Sequence, residues 1–111
     1  IVCADTIEEA KAIANLGPNI IVAEQPELIG TGQTSDMDYF KRAIEAVHSV
    51  NPDIKVLTAA GISNGDDVYN VIKKGAIATG SSSGIFKAED PAAMIEDMVS
   101  AVRRAWDERH K

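Results

Sequence analysis

The sequence predicts an α/β fold of β/α units, with parallel strands covered by outer helices. Three observations carry this. Short apolar runs alternate regularly with segments of helical periodicity. The runs are apolar on both faces, as parallel strands buried between helices are. The polar and glycine-rich segments all follow the strands at their C-terminal ends, the functional end of parallel α/β folds.

The first expected strand is Ile1 to Ala4. Thr6, with Glu9 after it, is a capping box that opens a helix carrying Ile7, Ala10, Ile13 and Ala14. Gly17-Pro18 stops that helix. The second strand runs from Asn19 to Glu24, and Gln25 to Thr34 is irregular. Ser35 with Asp38 opens the second helix, whose apolar face is Met37, Phe40, Ile44 and Val47, and Asn51-Pro52 ends it. The third strand is Ile54 to Ala59. Ser63 with Asp66 opens the third helix, with Val68, Val71 and Ile72 facing inward and Gly75 as its stop. The fourth strand is Ala76 to Gly80, followed by Ser81-Ser82-Ser83-Gly84. Asp90 before Pro91 is an N-cap with proline at the first helical position. The last helix repeats apolar residues at Ile95, Met98, Val99, Val102 and Trp106.

Composition bounds the function. A chain of 111 residues implies one domain, 1–111, with a modest core. A net charge of −6 argues against a nucleic-acid or anionic-membrane surface, since either needs a basic footprint. An anionic substrate must then be held by local devices such as backbone N–H groups. The single cysteine, Cys3, cannot make an internal disulfide, and no metal-type Cys/His spacing exists, so no metal and no cofactor are expected. With a single cysteine, a cytoplasmic, reducing location is the default expectation; no apolar run reaches transmembrane length and no signal peptide is visible. The abrupt start inside a strand-like run reads as a piece of something longer.

The sharpest candidate is Glu24, at the end of the second strand, where a side chain points into the mouth of a sheet. The run after it, Gln25-Pro26-Glu27-Leu28-Ile29-Gly30-Thr31-Gly32, has a proline on one side, glycines on the other and an apolar tip. Such a segment can close over a small ligand and exclude water; the plain alternative is a surface loop with a hydrophobic anchor. The turns Ala59-Ala60-Gly61-Ile62-Ser63 and Gly80-Ser81-Ser82-Ser83-Gly84 offer backbone donors for a phosphate, or are small for steric reasons alone. His48 and His110 are expected to be solvated, as is Lys87. Asp66-Asp67 favours a helix dipole, Trp106 is expected to pack, and Cys3 to be a small buried strand residue.

The run AEQPELIGTG, Ala23 to Gly32, resembles the strand-six and loop-six segment of the triosephosphate isomerase family, in its compact archaeal branch. VLTAAGIS, Val56 to Ser63, resembles the seventh strand and its turn, and SSSGIFKAEDP, Ser81 to Pro91, the eighth-strand phosphate turn and the start of the last helix. The resemblance implies a (βα)4 half of a TIM barrel, units five to eight of the eight; a flavodoxin-like open parallel sheet is the alternative. It implies that Glu24 is the catalytic base shuttling a proton between two carbons of a triose phosphate. It implies that Ile29 and Gly30 close on the substrate, and that Gly61, Ser82 and Ser83 bind its phosphate through the backbone. The family is itself a standing example of a carboxylate base behind a closing loop, so this chemistry is carried over and not read from spacing.

The sequence departs from the family pattern at Gln25, where proline is usual, at Ala59, where glycine is usual, and at Gly80-Ser81, which replace bulkier residues. The strand-one asparagine and lysine and the strand-four histidine of the family have no counterpart. His48 lies on an outer helix and cannot replace the last. The isolated chain is therefore expected to be inactive or nearly so, because lost electrophilic donors cost several kcal/mol of transition-state stabilisation. A half barrel also exposes strand edges and an apolar face, so a homo-oligomer or a complementary N-terminal half is expected to cover them. A non-catalytic half-barrel module that binds phosphate is the other reading. Half of a different phosphate-binding barrel is disfavoured by the loop run after Glu24.

Overall fold

The computed structural model describes residues 1–28 and 37–111. Three parallel strands, β1 (Val2–Ala4), β2 (Ile20–Ala23) and β3 (Lys55–Leu57), form one sheet in the order β1-β2-β3. The register sets Cys3 beside Val22, and Val22 beside Leu57. Among the described residues the helices are α1 (Ile7–Ala14), α2 (Met37–Val50), α3 (Gly65–Lys73), α4 (Ser83–Phe86) and α5 (Pro91–Arg109), with a 3₁₀ turn at Pro26–Leu28.

Parallel strands need helical crossovers, and the sequence supplies each with a start and a stop. Thr6 caps α1 by accepting from the Glu9 N–H at 3.1 Å. Glu9 reaches back to the Asp5 N–H at 3.0 Å, one residue beyond the usual box. Gly17, at φ 69°, turns the chain out of α1 in a conformation that favours glycine. Asp90 caps α5 by accepting from the Ala93 N–H at 3.1 Å, with Pro91 in the first turn. The cap of α3 is Asn64, whose side chain accepts from the Asp67 N–H at 2.9 Å. The expected Ser63–Asp66 start is therefore displaced by one residue. Ser63 is drawn off because its own N–H and hydroxyl both donate to Asp67, at 3.0 and 2.7 Å. The expected cap Ser35 lies outside the described residues.

The core lies between the sheet and the helices. Ile21, Phe40, Val47, Val68 and Ile72 are its largest fully buried side chains. α1 packs on α2 and α3 on α5. Ala101 and Ala105 are buried on α5, and their small side chains let Val68, Val71 and Ile72 of α3 come close.

Two expectations about the last unit are corrected. Residues 76–80 do not form a strand. The Ala76 N–H closes the end of α3 on Val71 O at 3.2 Å, and its carbonyl accepts from Arg109 at 2.8 Å. That start is therefore spent before a ladder to β3 can form, and alanine and glycine in the run give a ladder little support. Thr79 instead ties the segment to β3's extension, its hydroxyl donating to Thr58 O at 2.7 Å. On α5, the expected stripe splits. Met98 is buried, whereas Ile95, Val99, Val102 and Trp106 are 46, 62, 37 and 40% exposed. α3 covers only the flank bearing Met98, Ala101 and Ala105, and Trp106 stacks on His110 at 4.0 Å. Cys3 is also exposed, not buried, because it faces away from the helices.

Candidate functional site

Strand alternation builds the site. Successive side chains point to opposite faces, so Ile21 and Ala23 enter the core while Val22 and Glu24 share the other face. Register adds Cys3 on one side of Val22 and Leu57 on the other. Beyond the strand ends, this face opens into a cavity of about 380 Å³, lined by Glu24, Gly61, Ser82 and Ser83 among others. Sequence reasoning singled out these four residues separately, and the fold brings them together. Ile29 and Gly30 lie outside the described residues.

Glu24 is anchored by its backbone, its N–H donating to Ala4 O at 3.3 Å. Burial pushes the Glu24 carboxyl above its ordinary range, and the Asp5 carboxylate nearby adds to the shift. Asp5 sits at the end of β1, where its carbonyl accepts from Tyr39 Oη at 3.1 Å. Tyr39 is itself raised, by burial first and then by Glu27, Glu8, Asp5 and Glu9. This end of the site is thus acidic and suits a base.

The other end is neutral. Among the described residues no lysine, arginine or histidine lines the cavity. Gly61 has φ 77°, which turns the chain sharply after β3. Among the described residues, the backbone N–H groups of Gly61, Ser82 and Ser83 make no hydrogen bond. Gly61 is buried, Ser83 half-buried and Ser82 exposed, and N–H groups that the protein does not bond are donors available to a ligand.

Three site features were not legible in the sequence. Ser81 donates to Ile62 O at 2.7 Å. Gly84 sits where a Cβ would lie 2.6 Å from Ile62 O and 2.8 Å from the Ser63 Cα. Thr79 makes its bond to Thr58. Nothing in a run of three serines says which of them turns back on the previous unit. Thr58 Oγ1 is buried without a partner, on the helix side of β3 and away from the cavity. Among the described residues no cluster of His, Cys, Asp or Glu could hold a metal ion. No helix among them is long and apolar enough to cross a membrane.

Parallel strands, outer helices and a cavity at the strand C-termini define an α/β half barrel. No family model matches the chain. It is similar to triosephosphate isomerases of archaea. It is 37% identical to that of Methanobacterium bryantii over 105 residues, 92% of this chain and 46% of the relative. It is 39% identical to that of Methanosarcina mazei, with 92% and 47% covered. It is 35% identical to that of Sulfolobus acidocaldarius, with 98% and 48% covered. The chain spans about half the length of the curated relatives it matches. It is related to the archaeal triosephosphate isomerases, and the part it matches is their C-terminal half.

Proposed function

We propose that this chain supplies the base and the phosphate cradle of a triose-phosphate isomerase, interconverting glyceraldehyde 3-phosphate and dihydroxyacetone phosphate. The observation that carries the reading is that Glu24 and the turns at Gly61 and Ser82-Ser83 open into one cavity. Glu24 takes a proton from the carbon beside the substrate carbonyl and returns it to the neighbouring carbon. A carboxylate of raised affinity for protons suits that task better than a free one. The neutral donors of Gly61, Ser82 and Ser83 hold the phosphate without a cation. By resemblance, Ile29 and Gly30 close over the substrate and exclude water.

Residues 1–111 act in this reading as one half-barrel domain. The electrophile that polarises the carbonyl comes from a complementary N-terminal half, and the isolated chain has little or no activity. Both the Ile1–Ala4 edge and the exposed flank of α5 need cover, which a complementary half or a second copy of the chain provides. The setting is cytoplasmic, with no cofactor, nucleic acid or membrane involved.

The test is an isomerisation assay with glyceraldehyde 3-phosphate, on the chain alone and with a separately produced N-terminal half, with Glu24→Gln as the control. Activity only in the mixture, lost in the variant, supports the reading. No activity in either mixture, from folded chains, favours the second reading, a half-barrel module that binds phosphate without chemistry. The uncovered flank of α5 fits either reading, since both call for a surface that covers it.

A further inference from the structure

We propose that Ser81 is a positioning residue that holds the two phosphate turns as a single cradle; the inference rests on the phosphate reading above and adds how that site is kept in shape. A phosphate bound by neutral N–H groups from two separate turns needs those turns at a fixed spacing. The backbone does not fix it, because residues 76–80 make no strand ladder with β3. Two hydroxyls take the ladder's place. Thr79 Oγ1 donates to Thr58 O at 2.7 Å, and Ser81 Oγ donates to Ile62 O at 2.7 Å. Ser81 is the rung nearest the donors, adjoining Ser82 and reaching the residue after Gly61.

The packing around this rung is tight. A Cβ on Gly84 would come within 2.6 Å of Ile62 O, 2.7 Å of Ser81 Oγ and 2.8 Å of the Ser63 Cα. The second turn therefore rests against the first with no room for a methyl group. On the far side, Asp67 holds the Ser63 N–H and hydroxyl, and Asp97 accepts from the Gly65 N–H at 2.9 Å. Those donors are spent on the protein, whereas Gly61, Ser82 and Ser83 keep theirs. Ser81 joins the free donors of one turn to those of the other.

The test uses the ¹⁵N-labelled 111-residue chain, unaltered and as Ser81→Ala and Ser81→Thr. Amide exchange at Ser63 is measured without ligand, and inorganic phosphate is then titrated at constant ionic strength. Ser81→Ala is expected to weaken phosphate binding by about five- to tenfold, the effect of one lost hydrogen bond, and to speed Ser63 exchange, because the Ser63–Asp67 bond stands on the turn that the Ser81 rung steadies. Ser81→Thr keeps the hydroxyl and is expected to restore both. Unchanged exchange and affinity in Ser81→Ala overturn the proposal, as does a threonine variant that loses as much as the alanine one. Phosphate that shifts no amide of the unaltered chain sinks the phosphate reading instead. The exchange comparison distinguishes the two failures.

Discussion

Asp97, on α5, accepts a hydrogen bond from the backbone N–H of Gly65 at 2.9 Å, across 32 residues of chain. Gly65 is the first residue of α3, so a side chain of one helix satisfies an orphan donor at the start of another. The contact explains the glycine. A Cβ there would collide with the Asp97 carboxylate, its Oδ1 at 2.8 Å. It also fixes where α3 begins relative to α5, and hence where the Gly61–Ser63 turn before α3 stands.

Asp97→Ala is expected to destabilise the chain by about 1–2 kcal/mol, the range for a lost charge-assisted cap. Gly65→Ala should cost a similar amount, because the new methyl pushes the carboxylate off the same N–H. The two losses share one interaction, so the double variant should cost clearly less than their sum. Urea unfolding of the single variants and the pair gives the coupling directly. Simple additivity would mean that the contact contributes nothing.

Arg109 predicts a second, separate effect. Its Nη1 donates to Ile72 O and to Ala76 O, both at 2.8 Å. These carbonyls sit where α3 ends, a site that favours a cation. Arg109→Met keeps much of the apolar stem and removes both bonds, and should cost about 1.5–3 kcal/mol. Arg109→Lys should recover only part of this, since the lysine side chain is one atom shorter and must bring its ammonium to both carbonyls. A lysine variant as stable as the parent in thermal unfolding would contradict this account.

The sequence disclosed more of the order of elements than of their pairing. Thr6, Asp90 and Gly17 act through their immediate neighbours, so their roles were legible as local chemistry. Residues 76–80 were misread because their backbone is claimed by distant partners. Arg109 takes the Ala76 carbonyl from 33 residues away. The α5 stripe was read correctly as apolar, but periodicity cannot say which flank a neighbouring helix occupies. The buried flank is marked by Ala101 and Ala105, which carry little hydrophobic signal of their own. Glu24 drew attention in the sequence because it follows a strand, and Gly61, Ser82 and Ser83 because they lie in small-residue turns that resemble the family's; the fold sets all four around one cavity. The rungs from Thr79 and Ser81 were not, because a hydroxyl's partner depends on the fold.

Glu24 should leave a mark on pH dependence. Its folded-state carboxyl binds protons more tightly than in the unfolded chain, through burial and then Asp5. The stabilising contribution of the protonated form is therefore full below the ordinary carboxylate value of 4.5 and is lost as pH rises through the raised value. Glu24→Gln should raise the unfolding midpoint at neutral pH and leave it nearly unchanged in acid. In the mixed-half assay the same variant should lose about 10²–10⁴-fold in rate. For the parent, the acid limb of kcat/KM should fall above the range of a free glutamate. An acid limb at or below that range would remove the assigned base.

The flank of α5 carries the last prediction. Val99 and Val102 are 62 and 37% exposed and stand on the same side of the helix as Ile95 and Trp106. An exposed valine contributes little to the chain's own stability, so Val99→Asp should change it by no more than about 0.5 kcal/mol. If the flank is an assembly surface, the charge must be desolvated when the partner docks, at a cost of several kcal/mol. Association, with a second copy or with the N-terminal half, should then weaken by at least about tenfold. Sizing with light scattering reads the first case, and recovery of isomerase activity in titrations of one half with the other reads the second. Unaltered assembly by Val99→Asp would place the interface elsewhere. A parent chain that stays monomeric at micromolar concentration would remove the second copy as the cover and leave the complementary half.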